Sequence, residues 1–311
     1  MKVFFITHTF GGTGGSELYV KDLLTELSKN GIELFVFAPE QGKNIPKNAF
    51  GVKGFYLTPS FGHHAFHKFE YLLFYKKAVK LAKEFGAQVI HAHNSCFPGI
   101  IGHQVKKELD IPLITCVEGI TEGNKGIHQR VVVPFERFWW PRLDCDAFVS
   151  WHKYTLDRFL IPWGVPKEKT MVIHGAVDTE KFSPKASGKK FTEKYGKNLI
   201  GTARSLNYTN GERILHIVKA MFYVEKKYPE YKFLIFGGGE AVPKIKKTIK
   251  ELELKKNVIL CGEIKAEDVP AMYSSCTIAP FVFKYGPITS SGLMEAMACG
   301  TAVACSRTHS L

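Results

Sequence analysis

Apolar residues along this chain follow two rhythms. Short unbroken runs at 3–6, 34–38, 113–117, 147–150 and 171–173, joined by the mixed run Val89-Ile-His-Ala-His93, have the length and density of strands buried on both faces. Between the first two, Leu18, Val20, Leu23, Leu24 and Leu27 recur at helical spacing and stop at Asn30-Gly31. Phe74, Ala78, Leu81, Ala82 and Phe85 repeat that stripe further on. A strand, a glycine-rich turn at 11–15 and a helix open a mononucleotide-type α/β fold. A second series of strands begins at 199–203 and continues at 232–236, 258–261, 277–282 and 302–305, with helical patterns at 244–255 and 293–298. The stretch 179–198 between the two series is polar and lysine-rich and carries Pro184 and Gly188, so it is expected to be a linker. The division predicted is a first domain at 1–178, the linker at 179–198 and a second domain at 199–311.

The length of 311 residues suits two cores better than one. Lys and Arg number 42 against 29 Asp and Glu, a net charge of +13, which points to an anionic partner: nucleotide phosphates, acidic lipid headgroups or nucleic acid. No nucleic-acid motif accompanies the charge, so that partner is not expected. Seven scattered cysteines, none in a C-x-x-C pair, read as buried free thiols in a reducing compartment. No run approaches the ~18 apolar residues of a membrane span, and the N-terminus has no cleavable leader pattern. A cytoplasmic protein is expected, with peripheral contact at the inner membrane face as an option. Lys76, Lys77, Lys80 and Lys83 lie on the 71–85 helix, as a solvated back or as a face for anionic lipid.

Candidate chemistry concentrates in 285–300. Thr289, Ser290, Ser291 and Gly292 precede a helix-forming run, so Ser290 or Ser291 can cap its first turn. Free N–H groups and the positive end of the helix dipole would attract phosphate there, and Gly292 leaves room for close approach. Glu295, one turn further, suits ribose hydroxyls. The glycines at 11–15 do not make a dinucleotide fingerprint, because Glu17 stands where the third glycine belongs. His91 and His93 point the same way from their strand, but without an evident carboxylate or cysteine set they read as polar strand-end residues rather than metal ligands. Glu136-Arg-Phe-Trp-Trp-Pro-Arg142 joins aromatic and basic residues, with one of the two adjacent tryptophans expected to pack inward and the other to be free for an interface.

The words Leu293-Met-Glu-Ala-Met-Ala-Cys-Gly-Thr-Ala-Val-Ala304 resemble the donor-site helix of the family 4 glycosyltransferases, enzymes of the GT-B architecture. The resemblance implies two Rossmann-like domains with parallel sheets facing across a cleft. It implies a retaining transfer of sugar from a nucleotide-diphosphate sugar to a glycan or lipid-linked acceptor, with no metal or other cofactor; no convincing Asp-x-Asp metal pair stands in the sequence. Arg204 and the N–H groups of Ser290 to Gly292 would then hold the diphosphate and Glu295 the ribose, while Gly14 and Gly15 face the diphosphate from the first domain. Gly237-Gly-Gly239 matches a flexible turn of the family, Gly262 and Glu263 match the loop that reads the base, and His93 and Glu118 would line the acceptor side. Three positions depart from the family pattern. Glu118 stands where His is usual, Asn210 replaces a phosphate-binding Lys, and Pro287 replaces a sugar-binding Glu. Arg213 and Lys284 are the cations available to replace the missing Lys. The chain also stops at Leu311, short of the family's final elements. The alternative carried by these departures is a non-catalytic GT-B protein that binds a nucleotide, a glycan or a partner subunit.

Overall fold

The computed structural model describes residues 1–7, 15–38, 49–51, 72–118, 120, 128–283 and 290–307. The chain divides into two compact units, the first Met1–Gly175 and the second beginning at Ala176.

In the first unit the strands are β1 (Lys2–Thr7), β2 (Glu33–Phe37), β3 (Ala49–Gly51), β4 (Val89–Asn94), β5 (Leu113–Val117), β6 (Ala147–Ser150) and β7 (Thr170–Val172). They form one sheet in the order β3-β2-β1-β4-β5-β6-β7, every pair parallel. The helices are α1 (Gly15–Lys29), α2 (Tyr75–Phe85), α3 (Cys96–Leu109) and α4 (Val133–Trp139). The unbroken apolar run of β1 has a direct cause. Phe4 and Ile6 enter one core with Ala78 and Ala82 of α2 and Phe97 and Ile101 of α3, whereas Val3 and Phe5 enter another with Val20 and Leu24 of α1. Both faces of the strand are covered, so alternation is lost. Each such buried side chain contributes roughly 1.5–3 kcal/mol.

The second unit repeats the plan with β8 (Leu199–Ala203), β9 (Lys232–Phe236), β10 (Val258–Gly262), β11 (Ile278–Phe281) and β12 (Ala302–Cys305), in the order β10-β9-β8-β11-β12 and again all parallel. Its helices are α5 (Lys189–Tyr195), α6 (Tyr208–Lys227), α7 (Val242–Glu251), α8 (Val269–Ser275) and α9 (Ser291–Ala298). In both sheets the strand order reverses beside the first strand of the unit, next to β1 and next to β8. In open α/β sheets that reversal leaves a crevice at the carboxyl ends of the strands.

Several details differ from the pattern reading. The 179–198 stretch packs on the second unit: Phe182 and Phe191 are buried, α5 lies within it, and the Gly188 backbone sits so close to Ser275 that a Cβ there would meet the Ser275 backbone at 2.8 Å. Its high lysine content hid two aromatic anchors. The short strand β3 carries no apolar run long enough to announce it. Leu18 is exposed although it belongs to the α1 stripe, and Cys305 is exposed rather than buried. Of the tryptophan pair, Trp140 is buried and Trp139 half-buried against Phe135 and Phe138; the exposed ring of that segment is Phe138, with the Arg142 guanidinium 3.9 Å from its centroid.

Candidate donor and acceptor sites

Arg204 follows the last residue of β8 at the strand crest of the second unit. Its backbone is locked into neighbouring loops: Arg204 N–H donates to Phe236 C=O at 3.0 Å, Leu206 N–H to Gly238 C=O at 2.8 Å, and Gly237 N–H to Gly262 C=O at 2.7 Å. The glycines of this crossing are there for proximity, which corrects the expectation of a flexible turn. Gly237 has φ +134°, and a Cβ on it would lie 1.9 Å from the Arg204 carbonyl oxygen. Gly239, at φ +148°, would place its Cβ 2.5 Å from the Leu206 carbonyl. Three loops are therefore clamped at contact distance, and Glu263, exposed, has Oε1 3.3 Å from where a Gly238 Cβ would stand.

The Arg204 guanidinium lies 5.6 Å from the centroid of the Phe281 ring on β11. The same ring lies 3.5 Å from where a Cβ of Gly292 would be, and the Tyr273 hydroxyl 3.2 Å. Gly292 is in the first turn of α9, whose cap is Ser290: its hydroxyl accepts from Leu293 N–H at 3.3 Å. Arg204 and the N-terminus of α9 thus share one aromatic neighbour. Tyr273 is fully buried beneath them and its hydroxyl makes no hydrogen bond. Burial, and after it the Glu295 carboxylate, raise the Tyr273 pKa. Nη1 of Arg204 is buried without a hydrogen-bond partner. Burial lowers the Arg204 pKa; Tyr273 opposes this and the nearby charge of Arg213 adds to it. The expected donor residues Arg204, Ser290, Ser291, Gly292, Glu295, Gly262 and Glu263 all belong to this unit. Thr289, Pro287, Lys284 and Gly14 lie outside the described residues, and Gly15 opens α1.

In the first unit the crest of β1, β4 and β5 holds a different arrangement. Thr7 Oγ1 donates to Asn94 Oδ1 at 2.7 Å across the point where strand order reverses, and Asn94 Nδ2 donates to Glu118 Oε1 at 2.9 Å. Asn94 sits in the left-handed region at φ +86°, a conformation in which asparagine is enriched among non-glycine residues. The same Glu118 oxygen lies 3.0 Å from His93 Nε2, and His93 Nδ1 lies 3.2 Å from His91 Nε2. Burial alone would lower the pKa of His93, but the Cys116 sulfur and the Glu118 carboxylate outweigh it and raise it to about 9. Burial and the charge on His93 together push His91 down to about 3. With His93 charged and His91 neutral, as these shifts imply, imidazolium His93 donates from Nε2 to Glu118 and from Nδ1 to the lone pair of His91. Tyr19 of α1 lies parallel to the His93 ring at 6.0 Å and meets Trp151 edge-on at 4.4 Å.

His93, expected to line the acceptor side, is fully buried and hydrogen-bonds to the half-buried Glu118. Register places Cys116 beside His93, so a cysteine does stand near the two histidines. His91, His93 and Cys116 bring ligand-type atoms within 4.8 Å of one another. The Asp-x-Asp spacing at Asp144 and Asp146 is absorbed by Lys106, which pairs with them at 3.6 and 2.7 Å.

Two parallel α/β sheets, each with its strand order reversing beside the first strand of its unit, define a protein of GT-B architecture. Residues 13–181 match the family model Glycosyltransferase Family 4, and residues 185–311 match Glycosyl transferases group 1. The chain belongs to this glycosyltransferase family. It is 25% identical over 321 aligned residues to the alpha-monoglucosyldiacylglycerol synthase of Streptococcus pneumoniae, covering 97% of this chain and 70% of that one. It is 30% identical over 158 residues to the poly(glycerol-phosphate) alpha-glucosyltransferase of Bacillus subtilis, covering 48% of this chain but only 22% of the length of that relative. Among solved structures, Anabaena HepE in complex with UDP superimposes with a TM-score of 0.74 at 18% identity, over 97% of this chain and 80% of that one. Sucrose-phosphate synthase from Thermosynechococcus elongatus gives a TM-score of 0.78 at 17% identity, over 98% and 80%. At these identities the structural likeness is one of fold.

Proposed function

We propose that this chain is a retaining glycosyltransferase that takes a nucleotide-diphosphate sugar, with a uridine nucleotide as the first donor to try, and passes the sugar to a glycan or lipid-linked acceptor. The observation that carries the reading is the pair formed by the unfilled, buried Arg204 Nη1 and the Ser290-capped start of α9. A guanidinium donor and a helix N-terminus sharing one aromatic neighbour suit a diphosphate. Their positive charge would stabilise the leaving group as the bond from sugar to phosphate breaks, the task that metal-dependent transferases give to a cation. Glu295 would take the ribose, Gly262 and Glu263 the base, Gly14 and Gly15 the diphosphate from the first unit, and Glu118 the acceptor hydroxyl. The names of the relatives favour a glucosyl donor and an acceptor that is a lipid or an anionic polymer, and the net charge of +13 agrees with such a surface. Among the described residues no helix is long and apolar enough to cross a membrane; the proposed contact with a lipid acceptor is peripheral, at the inner face.

The test is a thermal-shift panel of UDP-, GDP- and ADP-sugars with their free nucleotides, followed by mass spectrometry of acceptor mixtures. A shift with one base, lost in Arg204→Ala and Glu295→Ala, together with sugar transfer, is the expected result. Binding without turnover of any donor would select the non-catalytic reading that Asn210 and Glu118 motivate, and no shift with any nucleotide would sink the donor reading and leave only a non-catalytic protein that binds a glycan or a partner subunit.

A further inference from the structure

Asn210, in the family's lysine position, is fixed from three sides. Its backbone N–H bonds to the Asn207 side chain at 2.9 Å, its Nδ2 donates to Ser205 C=O at 2.9 Å, and its Oδ1 accepts from Arg213 Nη1 at 3.2 Å. The last contact is one that only a side chain with an acceptor makes; a lysine has none. Arg213 lies one turn further along α6. Helical side chains lean toward the helix N-terminus, so its head is carried back over the first turn of α6, on the loop that begins at Arg204.

Three observations show that this head is set up for something absent from the protein itself. Arg213 Nε is buried and makes no hydrogen bond, the same condition as Arg204 Nη1. Among the described residues neither guanidinium is paired with a carboxylate. Burial lowers the pKa of both guanidinia, and the charge of Arg213 reaches Arg204 as a smaller lowering influence, behind the opposing one of Tyr273. Two partly desolvated cations whose charges reach one another and whose buried N–H groups are unfilled are costly for a folded chain unless an anion meets them. A single phosphate contacted by Arg204 and the α9 N-terminus would leave Arg213 unserved, whereas a diphosphate carries enough oxygens and charge for both.

We infer that Arg213, oriented by Asn210, is the second cation of the diphosphate clamp, so that an Asn–Arg relay supplies the charge that a lysine at 210 would otherwise bring. The inference rests on the donor-site reading. As the bond between the sugar carbon and the terminal phosphate oxygen breaks, its electron pair stays on that oxygen. The acceptor oxygen forms the new bond to the carbon, and its proton leaves with the phosphate. Arg213 meets the charge that accumulates on the phosphate, so its loss should weaken diphosphate binding and lower kcat more than it raises KM for the donor.

The test uses calorimetric binding of UDP and UMP, with GDP/GMP and ADP/AMP in parallel, to the full chain and to Arg204→Gln, Arg213→Gln and Asn210→Lys/Arg213→Gln. For the base that binds, Arg213→Gln should lose about tenfold in affinity for the diphosphate, one charge-assisted contact, and leave the monophosphate nearly unchanged. Asn210→Lys in the same background should restore most of the loss. The ligand-free melting temperature of Arg213→Gln should hold or rise, because an uncompensated cation has been removed. If Arg213→Gln binds the diphosphate like the parent while Arg204→Gln does not, the inference is overturned and the donor site stands. A fall in ligand-free stability without rescue by Asn210→Lys makes Arg213 structural and also overturns it. Failure of the parent to bind any of the six nucleotides overturns the donor reading itself.

Discussion

The His91–His93–Glu118 chain fixes the pH profile of the first unit. In the folded unit His93 holds its proton up to about 9, against about 6.5 for a free histidine. Its contribution is therefore complete below pH 6.5 and is lost as pH rises through 9. The linkage slope is at most about 1.4 kcal/mol per pH unit, so roughly 3 kcal/mol is at stake across that window. His91 acts in the opposite direction. Its pKa is held near 3, so folding excludes a proton that the unfolded chain accepts, and stability falls as pH drops below 6.5. His103 and His152, both lowered chiefly by burial, steepen that acid limb. The groups facing His93 are His91 on its own strand, Cys116 on β5, Glu118 and Tyr19 on α1; the Tyr19 pKa is raised above 10 by burial and stays outside the window. Stability should peak near pH 6.5. All four tryptophans, Trp139, Trp140, Trp151 and Trp163, lie within Met1–Gly175, so urea denaturation followed by their fluorescence reports this unit alone. Glu118→Gln keeps the hydrogen-bond shape and removes the smaller of the two influences that raise His93, the Cys116 sulfur being the larger, so it should move the alkaline limb to lower pH while leaving the acid limb. An alkaline limb at an unchanged pH in Glu118→Gln would refute the reasoning.

Two further outcomes follow from particular contacts. Gly237→Ala adds a Cβ 1.9 Å from the Arg204 carbonyl at φ +134°; it should cost on the order of 3 kcal/mol in the second unit by far-UV circular dichroism and abolish the nucleotide-dependent shift. Replacing Lys76, Lys77, Lys80 and Lys83, all exposed on α2, by Gln should reduce co-sedimentation with phosphatidylglycerol vesicles by at least tenfold if that face meets lipid, at about 1 kcal/mol per charge. Unchanged sedimentation would return the face to solvent.

The strands were legible because burial on both faces writes an unmistakable apolar run, as in 3–6 and 232–236. The placement of Arg204 at a strand crest followed from the same rhythm; the cap of the 291–298 helix was narrowed to Ser290 or Ser291, and it is Ser290. What the pattern hid were features made by contacts distant in sequence. Nothing in the order of residues says that Cys116 comes to lie beside His93, because that depends on the register of β4 against β5. The burial of His93 was concealed by α1, whose Tyr19 closes over it. The loop 237–239 reads as flexible because glycine is permissive, yet the crossing with Arg204 uses the missing Cβ for contact. Arg213 was only one of several cations until α6 carried it back over its own first turn.

Buried charge is treated in opposite ways by the two units, and this argues where an anion binds. In the first, His93 and Glu118 neutralise each other, with Asn94 and His91 completing the contacts. That network has no need of an external partner. In the second, Arg204 and Arg213 keep unfilled buried N–H groups, so the ligand-free unit carries a destabilising charge that a bound diphosphate would remove. Nucleotide should then stabilise the second unit first. At a concentration about 100-fold above Kd the linkage amounts to about 2.7 kcal/mol. It should appear in the circular-dichroism transition of the second unit and be much smaller in the tryptophan transition of the first. Equal displacement of both transitions would mean that the first unit shares the anion as fully as the second, and the division of charge described here would not be what selects the binding site.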